Sequence, residues 1–149
     1  MYPSFIKGNK GNIINVNNYK LGLGVCYDSL FTNLFRKQAK KGANLLISIS
    51  STSSFGDNNY VPLRDMNTNK IRAIENGRYL IRVDNYGPSG IIDPFGNIIT
   101  EIKNDVRSAK IGNYKLISKK TFYVKYGNWF IYFFNDNSIN FYYKKLKIN

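Results

Sequence analysis

The stretch "LGLGVCYDSL", residues 21–30, holds the single cysteine of a 149-residue chain that contains no histidine. A lone thiol closes no intramolecular disulfide, and without histidine a Cys/His zinc site and the Ser-His-Asp or Cys-His catalytic pairs are excluded. Catalysis, if the chain performs any, is left to carboxylates, lysines and backbone amides around Cys26. The thiol stands where an alternating apolar run stops and a helical spacing begins. At such a junction, helix-start amides favour thiolate over thiol and can hold a developing oxyanion. The competing reading is a small buried hydrophobe, the commonest use of an unpaired cysteine.

The elements that would carry this thiol can be read from periodicity. Leu21, Leu23 and Val25 alternate with Gly22 and Gly24, which predicts a strand over residues 20–25 whose glycine face admits a close neighbour. Leu30, Phe31, Leu34, Phe35 and Ala39 then recur at helical spacing among Arg36, Lys37, Lys40 and Lys41, and Gly42 closes the helix. "ANLLISISS", residues 43–51, reads as a second strand, followed by a polar loop. "MNTNKIRAIENGR" reads as a second helix ended by Gly77, with Arg72 and Glu75 three apart and able to pair. "YLIRVDNYG" is a third strand, and "GIIDPFGNIITEI" a hairpin in which Asp93, Pro94 and Gly96 make the turn. Strand-helix-strand alternation followed by strands predicts an α/β or α+β layered domain, taken here as α+β over residues 1–112, with a peripheral extension over 113–149.

Composition bounds the partners. A net charge of +13 attracts polyanions, either nucleic acid or an anionic bilayer. Tyrosines and lysines interleave from Tyr114 to Lys147, which suits stacking on nucleic acid, but no nucleic-acid-binding signature accompanies them. The run "WFIYFF", residues 129–134, is too short to span a bilayer, and "YYKKLK" after it has the character of an interfacial anchor. The N-terminal "MYPSFIKGNKGN" lacks the apolar core of a signal peptide.

"GVCYDSLF", "GANLLISIS", "FGD", "RAIENGRYLIRVDNYGPSGIIDPFG" and "TFYVKYGNWF", in that order and spacing, resemble the C-terminal half of the nitrilase-type domain of the apolipoprotein N-acyltransferases. The similarity runs from about Gly8 to Phe130. The Cys-Tyr-acidic and Asp-Pro-x-Gly elements are shared across the nitrilase superfamily. The element carried by Thr121, Tyr123, Lys125, Tyr126, Gly127 and Trp129 is particular to the acyltransferase branch.

The resemblance implies half of a four-layer α-β-β-α sandwich and a Glu-Lys-Cys catalytic set without cofactor or metal. Cys26 would be the nucleophile that takes an acyl chain from a membrane phospholipid as a thioester. The terminal amine of a lipoprotein's diacylglyceryl-cysteine would then receive it. A glutamate general base and an oxyanion-holding lysine complete the family's set, and both precede the cysteine by a stretch with no counterpart here. Lys7, Lys10 and Lys20 fall outside the lysine motif, and no acidic residue precedes Asp28. Tyr27, Asp28, Phe55, Asn85 and Gly87 are the expected site-lining residues. Asp28 stands where the family usually has glutamate. Ser51, Thr52, Ser53 and Ser54 replace an Asn-Asp-x-Trp stretch, removing a large piece of acyl-pocket lining, while Phe55, Gly56 and Asp57 are retained. The family places such a domain on the outer side of the bacterial cytoplasmic membrane, and a separate chain carrying the other half is an expected partner. The alternatives are a nitrilase-type amidase fragment or a non-catalytic basic interaction module.

Overall fold

The computed structural model describes residues 13–55, 60–129 and 131. Six strands form one mixed sheet in chain order: β1 (Ile13–Val16), β2 (Tyr19–Val25), β3 (Leu45–Ser50), β4 (Leu80–Asp84), β5 (Ser89–Ile92) and β6 (Ile98–Ile102). The central trio β2, β3 and β4 is parallel, and the flanking pairs are antiparallel. The parallel crossovers are made by α1 (Thr32–Lys40) and α2 (Tyr60–Asn76), as parallel pairing requires. A short α3 (Phe122–Tyr126) follows the sheet.

The glycine face of β2 meets α1. A Cβ on Gly24 would stand 2.5 Å from the Phe35 ring, and one on Gly22 would stand 2.8 Å from Gln38 and Leu46. Phe35, Ala43, Leu46, Met66, Ala73, Leu80 and Ile92 form the core between this face and the helices. Gly77 ends α2 at φ +59°, where its N–H donates to the Ile74 carbonyl and the Arg78 N–H to that of Ala73. The Arg72 and Glu75 side chains are paired on α2, as their spacing predicts.

The opposite sheet face carries two cross-strand apolar rows, Leu23–Ile47–Ile81 and Val25–Ile49–Val83. Val25, Ile49 and Val83 are 54%, 44% and 49% exposed. No described helix packs on this face. Beyond β6 the chain passes over the β5–β6 side of it, with Gly112 against Thr100 and Ile91, and encloses a groove of about 920 Å³ floored by Ile81, Val83 and Ile91. The architecture is therefore α+β: helices on one face of a sheet whose other face is apolar and largely uncovered.

Four features depart from the sequence expectations. β1 was not anticipated; Asn17 turns it into β2 at φ +51°. A 3-10 turn, Cys26–Leu30, separates β2 from α1, so the amides that open α1 are not at Cys26. The second helix begins at Tyr60 rather than Met66, because its first inward positions are Pro62 and Asp65 and show no apolar period. The segment after 113 is docked rather than peripheral: the Ile117 N–H donates to the Asn44 carbonyl, and Arg78 Nη1 donates to the Lys119 carbonyl at 2.6 Å. Lys7, Lys10, Gly56, Asp57 and the aromatic run from Phe130 onward, Ile131 excepted, lie outside the described residues.

Candidate active site

Cys26 follows the last residue of β2 and is exposed, with its backbone at φ +52°. That left-handed conformation is rare for a residue with a side chain and lifts the thiol out of the strand direction. The 3-10 turn holds it there. The Val25 N–H donates to Asp28 Oδ2 at 3.0 Å, and the Ser29 hydroxyl lies 3.3 Å from the Cys26 carbonyl and 3.4 Å from Asp65 Oδ1. Arg72 Nε donates to the Ser29 carbonyl at 3.0 Å. The elbow is thus tied to α2 from beneath, through two side chains of that helix.

Below it lies a buried charge network. Arg82, fully buried on β4, donates from Nη1 to Asp65 Oδ2 at 3.0 Å and from Nη2 to Asp84 Oδ2 at 2.7 Å. Asp84 also accepts from the Ser50 hydroxyl at 2.6 Å, from the Thr52 hydroxyl and N–H, and from the N–H groups of Tyr86 and Gly87. Burial alone would raise its pKa; the hydrogen bonds from Ser50, Tyr86, Gly87 and Thr52 outweigh it and hold the carboxyl at about 2. One ionised carboxylate therefore fastens the C-terminal ends of β3 and β4 together. Both ends rise toward the hollow beside Cys26.

That hollow, about 20 Å³, is lined by Cys26, Tyr27, Leu30, Ser50, Ser51, Thr52, Phe55, Val61, Arg64 and Asp65. The structure therefore brings Tyr27 and Phe55 to Cys26 as the sequence suggests. Asp28 does not line it; its carboxylate turns back onto the Val25 N–H. Asn85 faces the large groove on the open sheet face, and its N–H donates to the Ser50 carbonyl. Gly87 is one layer removed: its N–H donates to Asp84, and a Cβ there would stand 2.8 Å from Pro62 and 3.0 Å from Thr52 Oγ1. Sequence reading missed Ser50, Arg64, Asp65 and the Arg82–Asp84 pair. The signal available for them was charge and hydroxyl residues at positions whose neighbours are buried.

The Thr121–Trp129 element is a clamp on the helical side. Thr121 caps α3 by accepting from the Val124 N–H and donates its own hydroxyl to the Glu75 carbonyl at 2.6 Å. Arg36 Nε donates to the Tyr123 carbonyl at 2.9 Å, with its guanidinium 5.8 Å from the Tyr123 ring centre. On the outside, Phe122 packs with Tyr126 and Trp129 at ring separations of 4.6 and 5.7 Å, and all three remain exposed. No described helix is long and apolar enough to cross a membrane.

A carbon-nitrogen hydrolase family model matches residues 2–111. The apolipoprotein N-acyltransferase of Thermotoga maritima is 31% identical over 126 residues, covering 84% of this chain and 25% of that protein. Its counterpart in Gloeobacter violaceus is 32% identical over 108 residues, covering 72% and 20%. The chain thus spans about a quarter or less of the length of these relatives. Among solved structures, a branch 10 member of the nitrilase superfamily from Saccharomyces cerevisiae is 30% identical at a TM-score of 0.56, with 65% of this chain and 38% of that one covered. A mutant amidase from Nesterenkonia sp. AN1, with acrylamide added at its active site cysteine, is 26% identical at a TM-score of 0.54, covering 67% and 41%.

Proposed function

Because the chain belongs to the carbon-nitrogen hydrolase family, we propose that it is the cysteine-bearing part of an N-acyltransferase that moves a phospholipid acyl chain to the terminal amine of a lipoprotein. The observation that carries this reading is the Cys26 elbow: an exposed thiol on a strained backbone, braced through Ser29 by α2. Similarity to proteins named apolipoprotein N-acyltransferase supports acyl transfer as the reaction.

In this mechanism the Cys26 sulfur forms a bond to the ester carbonyl carbon, and the ester C–O bond breaks. The thiol proton passes through a carboxylate base to the departing alkoxide. The lipoprotein amine then attacks the thioester, forming the amide and returning the thiol. Among the described residues lining the hollow the only carboxylate is Asp65, committed to Arg82 and Ser29. In this reading the base comes from a further polypeptide segment, as the family resemblance implies, and the uncovered apolar rows give that segment a surface on which to pack. Work at the outer face of the bacterial cytoplasmic membrane fits the +13 charge and the exposed Phe122, Tyr126 and Trp129 rings beside Lys125.

The amidase likeness of solved neighbours favours a second reading, hydrolysis or transfer from a small amide. One experiment separates the two. The full chain, in membranes that contain its cellular partners, is given phospholipid with a labelled acyl chain or a labelled small amide, and Cys26 is examined by mass spectrometry. A phospholipid-derived acyl adduct that disappears in Cys26→Ser supports the acyltransferase. An adduct from the amide alone supports the amidase, and no adduct from either refutes both enzymatic readings.

A further inference from the structure

Arg78 and Arg82 are both fully buried, and they are held in opposite ways. Arg82 lies between the carboxylates of Asp65 and Asp84. Arg78, in the turn between α2 and β4, pairs with no carboxylate among the described residues. Its Nε donates to the Ala43 carbonyl at 2.8 Å and its Nη1 to the carbonyls of Asn76 and Gly77 at 3.1 Å and of Lys119 at 2.6 Å, while Nη2 is buried without a hydrogen-bond acceptor. Burial pushes its pKa down, yet a guanidinium starts so high that it stays charged, and the desolvation is not relieved by losing a proton. The cover over this charge is residues 113–121. That segment fully buries no side chain of its own. It is fastened at separate points: the Tyr114 and Tyr19 side chains to each other, the Ile117 N–H to the Asn44 carbonyl, the Lys119 carbonyl to Arg78, and the Thr121 hydroxyl to the Glu75 carbonyl. The Thr121 methyl lies so close over the turn that a Cβ on Gly77 would stand 2.6 Å from it. Lifting the segment uncovers little hydrocarbon and returns the Arg78 charge to water, so this opening is far less costly than unfolding the core.

We propose that residues 113–121 form a strap that opens and closes as a unit while the sheet and helices stay folded, with the Arg78 guanidinium as its latch. The latch grips the Lys119 carbonyl, and the uncompensated charge beneath keeps the grip reversible, because water replaces that carbonyl when the strap lifts. The two ends of the strap are held independently. Before it, the Asp105 N–H donates to the Tyr86 carbonyl and Gly112 packs on Thr100 and Ile91. After it, Arg36 binds the carbonyls of Tyr123 and Lys125, and Val124 is fully buried. Opening therefore gives slack to the chain over the groove of the open sheet face while Phe122, Tyr126 and Trp129 keep their places. Such a strap lets that chain shift when another segment packs on the sheet, without dislodging the rings. The device does not depend on the chemistry at Cys26.

The test compares these two buried arginines within one molecule. The full chain is treated with phenylglyoxal, which condenses with accessible guanidinium groups, and the rates at Arg78 and Arg82 are read by peptide mass spectrometry. If global unfolding alone exposed them, both would react at one rate. The strap predicts reaction at Arg78 at least about tenfold faster than at Arg82, and nearly independent of urea below the unfolding transition, because a local opening exposes little surface. Thr121→Val, which removes the hydroxyl anchor on Glu75, is expected to speed reaction at Arg78 by about three- to tenfold and to leave Arg82 unchanged. Thr121→Ser, which keeps the hydroxyl, is expected to stay within about twofold of wild type. Equal rates at the two arginines, a shared urea dependence, or a Thr121→Val variant that leaves Arg78 unchanged or speeds both arginines alike overturns the proposal. Should Thr121→Val fail to fold, the wild-type comparison decides alone.

Discussion

Replacing Asp84 with asparagine probes the brace under the site with almost no change in shape. In the wild type this carboxylate gathers donors from Ser50, Thr52, Arg82, Tyr86 and Gly87 and has a fully buried side chain. An amide cannot accept from all of them, and it leaves the Arg82 guanidinium with Asp65 alone. Breaking a buried pair in this way costs about 3–5 kcal/mol, which for a domain of this size lowers the melting temperature by roughly 10 °C. The acid dependence gives a second, independent signature. The carboxyl falls from an ordinary 3.8 to about 2, a difference that at about 1.4 kcal/mol per unit is worth about 2 kcal/mol. A depressed carboxylate contributes that amount in full above about pH 4 and loses it as the pH falls toward 2. Urea unfolding of wild type and Asp84→Asn between pH 5 and pH 2 should therefore show the gap narrowing by about 2 kcal/mol, while Asp93, on a turn far from the substitution, acts equally in both. A variant within about 0.5 kcal/mol of wild type at pH 7, or a gap that stays constant down to pH 2, refutes the account of Asp84 as the clamp joining β3 and β4.

Gly24→Ala puts a methyl 2.5 Å from the Phe35 ring and should destabilise by about 1–3 kcal/mol, read by urea unfolding, with Phe35→Leu recovering part of the loss. The exposed row of Val25, Ile49 and Val83 should make the isolated chain self-associate. Ile49→Lys with Val83→Lys should shift it toward monomer in sedimentation velocity, and an unchanged distribution would show that association runs through another surface.

The strands were legible wherever one face is apolar and the other small or buried. Leu21, Leu23 and Val25 announce β2, and Leu45 to Ile49 announce β3, because burial there is by hydrocarbon. The start of α2 was not legible, since its inward positions Pro62, Asp65 and Asn69 are polar or helix-breaking and acquire their meaning from Arg82 and from their own backbone neighbours. The same reason hid the network. Asp65 and Arg82 are 17 residues apart on different elements, and no local pattern marks them as partners. Cys26, Tyr27 and Phe55, which the resemblance places by short motifs, line one hollow. For Asp28 the motif gives the position but not the direction, and its carboxylate turns back to accept from the Val25 N–H. Arg64 carried no motif at all.

The Thr121–Trp129 element takes on a physical meaning that its use as a family marker does not supply. Thr121 bonds to the end of α2, Arg36 of α1 bonds to the carbonyls of Tyr123 and Lys125, and Arg78, in the turn between α2 and β4, holds the carbonyl of Lys119. Two helices and the turn that follows α2 therefore fix one short segment, which in turn presents Phe122, Tyr126 and Trp129 outward. A clamp of this extent is more than packing alone requires, because the rings it presents are left in water rather than buried. The sheet faces the opposite problem: its apolar rows await a cover on the side away from the clamp. The two unfilled surfaces lie on opposite sides of the layer that braces Cys26. In the proposed acyltransferase reading, one segment packing on the sheet would bring the base while the ring cluster stays free to meet a lipid interface.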